Sequence, residues 1–321
     1  GAIAGGGTTG KFKITAGTGN SNITTGAGDD TFSFAAGVLT SEDIVDGSTG
    51  TDTVELTGTT AVTATHFNNV KNIEVITLPD MTNTAVTITT QEPLVAAGAT
   101  LTLSNAANLG ALIFSGALET DGGKFSITGG GGADNITGGA GNDMFTFVAG
   151  TGLTTDTVNG GAGTDTVTLT GTTAVAFNNF NNVSNIEVIT LPDMTNTAVT
   201  ITTLDLLVGG TATLTLTNAN NSGVLTFIGT NETGGGKFNI TGGSNNDSIT
   251  GGSGDDTIAG GVGNDGITAG SGNDTLSGDS GDDNFTFAAG TGLTSADTVD
   301  GGTGTDTVAL TGNTAFTVSN D

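Results

Sequence analysis

A nine-residue pattern, Gly-Gly-x-Gly-x-Asp-x-U-x with U a large apolar residue, recurs in phase along this chain. Gly138 to Thr146 (GGAGNDMFT) meets every defined position. So do Gly129 to Thr137, Gly160 to Thr168, Gly251 to Ala259, Gly260 to Thr268 and Gly301 to Ala309. The glycines let the backbone turn sharply, through conformations with φ > 0 that other residues resist. The last three residues of each copy read as a short strand with U pointing inward. A chain that reverses about every nine residues returns to the same side about every eighteen, so turn k stacks on turn k+2 at about 4.8 Å. The predicted fold is all-β, a parallel β-roll within a β-solenoid. Helix signals are nearly absent.

Sharp glycine turns aim carbonyl oxygens inward, and the Asp at the sixth position adds a hard anionic oxygen. Ca²⁺ takes six to eight such oxygens and tolerates irregular geometry. The predicted ligand is therefore calcium, several ions per chain, each held between stacked turns by two aspartates and several carbonyls. In the last block one side stacks Asp247, Asp265 and Asp283, and the other stacks Asp256 and Asp274. Imperfect copies there keep their Asp despite Asn245, Ala269 and Asp279 at glycine positions. In the middle block Asp165 returns to the side of Asp143, and Asp134 lies opposite. The first block offers Asp30 and Asp52, and the last ends on Asp306. A widened turn carries Asp156, and the same turn recurs with Asp43 and Asp297. These three fit either a ligand or an acid that only solvates its turn. Ser21 stands where an Asp is due, which predicts a weak or empty turn.

Composition sharpens the need for cations. There are 32 acids against 5 bases, a formal charge of -27, so the compact chain repels itself. Only 5% of residues are aromatic, with no Trp or Tyr, so the apolar core is thin. A bound ion adds about 1.4 kcal/mol at ten times its Kd. Eight or so sites would add on the order of 10 kcal/mol, comparable with the stability of a whole domain. Calcium is thus expected to decide whether the chain folds. The acidic balance argues against nucleic acid, whose phosphates need basic patches. No apolar run is long enough to span a membrane. The chain has no Cys, which rules out disulfides.

A larger repeat contains the small one. Lys11-Phe12-Lys13-Ile14-Thr15 recurs from Lys124 and again from Lys237, 113 residues on each time (124 − 11; 237 − 124). Asn68 to Thr90 recurs almost unchanged at Asn181 to Thr203. The expected organisation is a tail of a preceding unit over 1–10, unit 1 over 11–123 with its calcium roll at 16–55, and unit 2 over 124–236 with its roll at 129–168. A shortened unit 3 covers 237–321 with its roll at 242–309. Both ends read as cuts through a longer array. Between rolls, Thr-rich period-2 segments predict strands. They are Val167 to Leu169, Ile186 to Leu191, Val199 to Ile201, Leu214 to Leu216, Leu225 to Phe227 and Phe238 to Ile240. These predict wider coils without calcium. The pairs Phe32/Phe34, Phe145/Phe147 and Phe285/Phe287 close each block and read as core where the roll widens.

Nothing in the chain suggests catalysis. His66 is the only histidine, and Asn179 replaces it one unit later. Glu74 and Glu187 sit in a duplicated Ile-Glu-Val-Ile segment, where a capping or lateral role is expected. No nucleophile elbow, P-loop or dinucleotide fingerprint is present.

The nonapeptides over roughly 16–55, 129–168 and 242–309 resemble those of RTX (repeats-in-toxin) proteins, whose repeat folds as a calcium-binding parallel β-helix. The resemblance implies export through a type I secretion channel and folding outside in millimolar calcium. It also implies a ligand set: carbonyls from positions one and three of the first turn, carbonyls from positions two and four of the second, and both aspartates. Carried over, Gly138, Ala140, Asp143, Gly161, Gly163 and Asp165 surround one ion. Rolls alternating with Thr-rich strands look most like bacterial surface-layer proteins and large adhesins. The expected role is a secreted, calcium-dependent structural protein at the bacterial cell surface. Its partners would be copies of itself in a sheet, sheath or filament, with cell-surface polysaccharide as a second candidate. The alternatives are a calcium-stiffened spacer of a long adhesin and an ice-binding module.

Overall fold

The structure, a computed structural model, describes residues 2–4, 9–79, 84–150, 153–176, 180–192, 197–219, 221–288 and 292–312. Among the described residues all regular structure is β-strand. Packing divides the chain into two compact units, Gly1–Phe147 with Thr155–Val167, and Val148–Thr154 with Thr168–Asp321.

Each unit is a parallel β-solenoid in which a strand pairs with the next but one. In the first, Lys13–Thr15, Thr31–Ala35, Thr53–Thr57, Val75–Thr77, Thr100–Ser104 and Lys124–Thr128 form one wall. Opposite run Val86–Thr89, Leu112–Ser115, Asn135–Thr137 and Thr157–Asn159. In the second, one wall is Val188–Thr190, Thr213–Thr217, Lys237–Gly243, Thr257–Val262, Thr275–Ser280 and Thr298–Asp300. The other is Val199–Thr202, Leu225–Ile228, Ser248–Thr250, Gly266–Thr268, Asn284–Ala288 and Thr307–Thr311.

Coil width varies along each unit. Within the nonapeptides Ile240 lies beside Ile258 and Ile258 beside Leu276, a coil of eighteen residues (258 − 240; 276 − 258). The three-residue strands Ser248–Thr250 and Gly266–Thr268 each bury one side chain, Ile249 or Ile267. Thr213–Thr217 buries two, Leu214 and Leu216, and its coil is longer: Leu214 pairs with Phe238, 24 residues on (238 − 214). Val199 pairs with Leu225, 26 on (225 − 199). The expected wider coils are present. The three Phe pairs are buried with at most 1% exposure.

One expected strand is shorter than its pattern. Of Ile186 to Leu191 only Val188–Thr190 is strand. Asn185 has φ 52°, in the left-handed region, and Ile186 and Glu187 complete the turn it starts. Asn72, with φ 54°, does the same before Val75–Thr77. Asn tolerates this backbone better than most residues.

Phe114 meets Phe125 edge to face, with centroids 4.9 Å apart and an interplanar angle of 74°. Gly116 lies against the Phe125 ring, where any Cβ would collide. Phe125→Ala is expected to cost about 3–5 kcal/mol. Denaturant unfolding at saturating calcium, compared with the parent chain, checks it.

Candidate metal centre

Each repeat aspartate ties its turn to the one stacked before it. The Asp247 N–H donates to Asp265 Oδ1 (2.7 Å), Asp265 to Asp283 (2.7 Å) and Asp283 to Asp306 (3.0 Å). On the other side Asp256 donates to Asp274 (2.9 Å) and Asp274 to Asp297 (2.8 Å). In the first unit the pairs are Asp30 to Asp52, Asp134 to Asp156 and Asp143 to Asp165, each 2.8 Å. Ser21 likewise donates to Asp43 Oδ1 (2.8 Å). The turns predicted to stack do stack, and all three widened-turn aspartates lie in the columns.

The second carboxylate oxygen separates the turns into kinds. In Asp134, Asp143, Asp247 and Asp256 it accepts the N–H of Gly130, Gly139, Gly243 and Gly252 in the same turn. In Asp30, Asp52, Asp156, Asp265, Asp274 and Asp283 Oδ2 is buried with no hydrogen-bond partner. Such an oxygen costs energy unless something pairs with it. Asp43 and Asp297 differ: Thr40 and Thr294 donate their N–H groups to Oδ2, by a threonine three residues earlier. Asp156 has Leu153 there and keeps the bare oxygen. Asp306 is half-buried at the end of its column.

The turns also form oxygen cradles. A Cβ on Gly138 would strike both Asp143 Oδ2 and the Gly160 carbonyl oxygen of the next turn. Gly251 faces Asp256 Oδ2 and Ala269 O in the same way, and Gly242 faces Asp247 Oδ2 and Gly260 O. The second turn of each pair reverses its peptides through left-handed glycines: Gly161 (φ 101°) and Gly163 (135°), Gly261 (104°) and Gly263 (146°), Gly270 (101°) and Gly272 (138°). The six residues Gly138, Ala140, Asp143, Gly161, Gly163 and Asp165 lie on two such stacked turns. Ala140 donates its N–H to Glu119 O (3.1 Å). No three His, Cys, Asp or Glu side chains converge among the described residues. The stacked turns therefore offer a cation two carboxylates together with backbone carbonyls. Hard anionic and carbonyl oxygens suit Ca²⁺ and exclude the soft metals.

Burial dominates the electrostatics. It pushes Asp256 up to about 7, and Asp274 with its charge nearby adds to the rise. Asp143, Asp156, Asp265 and Asp274 are pushed to about 6, chiefly by burial, and so is Asp52, where the charge of Glu74 adds. Asp134, Asp247 and Asp283 are raised for the same first reason.

Three features escaped the motif. Its fifth position, an unspecified x, builds an outer ladder: Asn264 donates to Asn246 Oδ1 (2.9 Å), Asp282 to Asn264 (2.9 Å) and Thr305 to Asp282 (2.8 Å). The recurrence of Asn or Asp there was the signal. Lys11–Asp29 and Lys237–Asp255 ion pairs lie beside the same ladder positions. Glu119 and Glu232, 113 apart, are buried in turns of their own, and burial pushes Glu119 up to about 8. Asn105/Asn108 and Asn218/Asn221 form buried amide pairs, each 2.9 Å.

Residues 13–38, 126–145, 151–167, 234–267, 267–293 and 291–310 match the family model of the RTX calcium-binding nonapeptide repeat (4 copies). Those segments carry the RTX calcium-binding repeat, and its stacked turns bind multiple calcium ions. No match is found among curated proteins.

Two outcomes follow from this geometry. Asp265 serves two gaps and Asp247 one, so Asp265→Asn should lower bound calcium about twice as far as Asp247→Asn, counted by atomic absorption. Protons should replace calcium in part. A pKa raised in the fold means stability that is fully present below the unfolded value of 3.8 and lost as pH rises through about 6 to 7. In chelator, β circular dichroism is therefore expected to strengthen as pH falls from 8 toward 4. With calcium the same protons compete with the ion, and affinity should fall over that window.

Proposed function

We propose that this chain is a secreted structural segment whose calcium-ordered rolls pack side by side in a bacterial surface layer, sheath or filament. The observation that carries this reading is the duplicated outward surface. Val86–Thr89 and Val199–Thr202 are both Val-Thr-Ile-Thr with the same alternation of buried and half-buried residues. Thr100–Ser104 and Thr213–Thr217 present near-identical threonine rows outward. A surface repeated along a chain offers the same contact again and again, and heterologous contacts of that kind propagate. RTX-repeat proteins are typically extracellular, where millimolar calcium would fill the cradles. Within this reading the chain is a scaffold and not an enzyme, its partners are copies of itself, and cell-surface polysaccharide is a second candidate partner.

The net charge of -27 favours a second reading, since like charges oppose close lateral packing. In it the rolls are a calcium-stiffened spacer of a long adhesin. Electron microscopy of the purified chain in millimolar calcium, then after chelation, separates the two. Sheets or fibres that dissolve on chelation are expected. Rods that stay isolated at every calcium concentration would refute lateral assembly and leave the spacer.

A further inference from the structure

The first calcium column does not stop at its last nonapeptide-like turn. Beyond Gly47 to Asp52 the next turn on that side is only three residues, Asn72-Ile73-Glu74, and it lies outside the segments that match the repeat model. Yet it takes over each task of a repeat turn. The Asp52 N–H donates to Glu74 Oε2 (2.8 Å), as Asp30 does to Asp52 Oδ1 (2.8 Å). The Asp52 carbonyl accepts from Glu74 N (3.1 Å) and Val75 N (3.0 Å), as Asp30 O accepts from Thr53 N (2.8 Å). A Cβ on Gly47 would strike the Asn72 carbonyl oxygen and lie 2.6 Å from Asp52 Oδ2. That is the same pair of oxygens that faces Gly138, with Asn72 O standing where Gly160 O stands.

The parts are fixed in place. Asn72 has φ 54°, and its Nδ2 donates to Asp46 Oδ1 (2.7 Å), which holds the left-handed backbone that aims its carbonyl. Asp52 is fully buried, and its Oδ2 has no partner. Two carboxylates thus meet at one gap, with an orphaned oxygen and a carbonyl directed into it. Glutamate suits the shorter turn because its extra methylene restores the reach that three missing residues remove.

We infer that Asp52, the Asn72 carbonyl and Glu74 form a further divalent-cation site, in which an Asn-x-Glu turn replaces a whole nonapeptide turn and closes the column. The segment recurs as Asn185-Ile186-Glu187, where Asn185 has φ 52°. The inference rests on the calcium reading of the stacked turns and adds a ligand set that the nonapeptide pattern does not contain.

Crystals of the full chain loaded with Tb³⁺, a hard oxygen-seeking stand-in for Ca²⁺, test it through anomalous scattering. A peak among Gly47, Asp52, Asn72 and Glu74 is expected, with oxygens at about 2.3–2.6 Å. The peak between Asp247 and Asp265 serves as the internal reference. In Glu74→Gln, whose amide oxygen still accepts the Asp52 N–H, the new peak should vanish while the reference stays. A filled reference with an empty Asp52–Glu74 gap in the parent chain would overturn the inference, and so would a peak that survives Glu74→Gln. A map without peaks at either place would sink the calcium reading beneath it. The parent crystal alone decides the matter should the variant fail to fold.

Discussion

The rolls depend on one contact, an aspartate oxygen accepting the backbone N–H of the residue stacked before it, which inside each column is itself an aspartate and at the column's start is a residue such as Leu225 or Phe238. The bond aligns consecutive turns and satisfies a buried amide. It also drags a carboxylate out of water, next to another carboxylate, with its second oxygen facing into the gap. Burying unpaired charge is among the costliest things a fold can do. The hydrogen-bond pattern and the electrostatics therefore oppose each other until a cation enters. Calcium reconciles them, because it pairs the orphaned oxygens, cancels the repulsion and gathers the carbonyls that the left-handed glycines have turned inward.

The same constraint explains the division of labour along the chain. An eighteen-residue coil buries a single apolar side chain per strand, as at Ile249, Ile258 and Ile267, so its own core stabilises it little. The wider coils bury two per strand and collect the large side chains, with Phe114 on Phe125 and Phe227 on Phe238. Ion-held and core-held segments alternate. Where they meet, side chains take over from ions or share with them: buried Asn105 and Asn108 precede the Asp134 turn, Glu119 precedes Asp143, and Glu74 follows Asp52.

The stacking rule was legible because period and geometry are the same fact: a nine-residue reversal must return after eighteen, and Asp247, Asp265 and Asp283 do. The widened turn with Asp156 was legible as well, since Asp156-Thr157-Val158 keeps the motif's order of Asp and inward apolar residue and stands nine residues before Asp165 (165 − 156). Other features were hidden for physical reasons. Whether a widened-turn acid offers a bare oxygen turns on whether a backbone N–H of its own turn reaches Oδ2, as those of Thr40 and Thr294 do and none does at Asp156, and that shows only once Oδ2 is placed. Glu74 looked like part of a strand because Ile-Glu-Val-Ile alternates well, and only the left-handed backbone at Asn72 takes it out of the strand. The fifth motif position passed as free, although its amides and carboxylates link turn to turn along the outer edge.

The central claim is that calcium decides the fold. Far-ultraviolet circular dichroism of the full chain at neutral pH, recorded as free calcium is raised from zero while bound calcium is counted, tests it most directly. The account predicts a chain with little β signal at zero calcium, and a signal that rises together with the number of ions bound. A full β spectrum in thoroughly calcium-free buffer at that pH would contradict it.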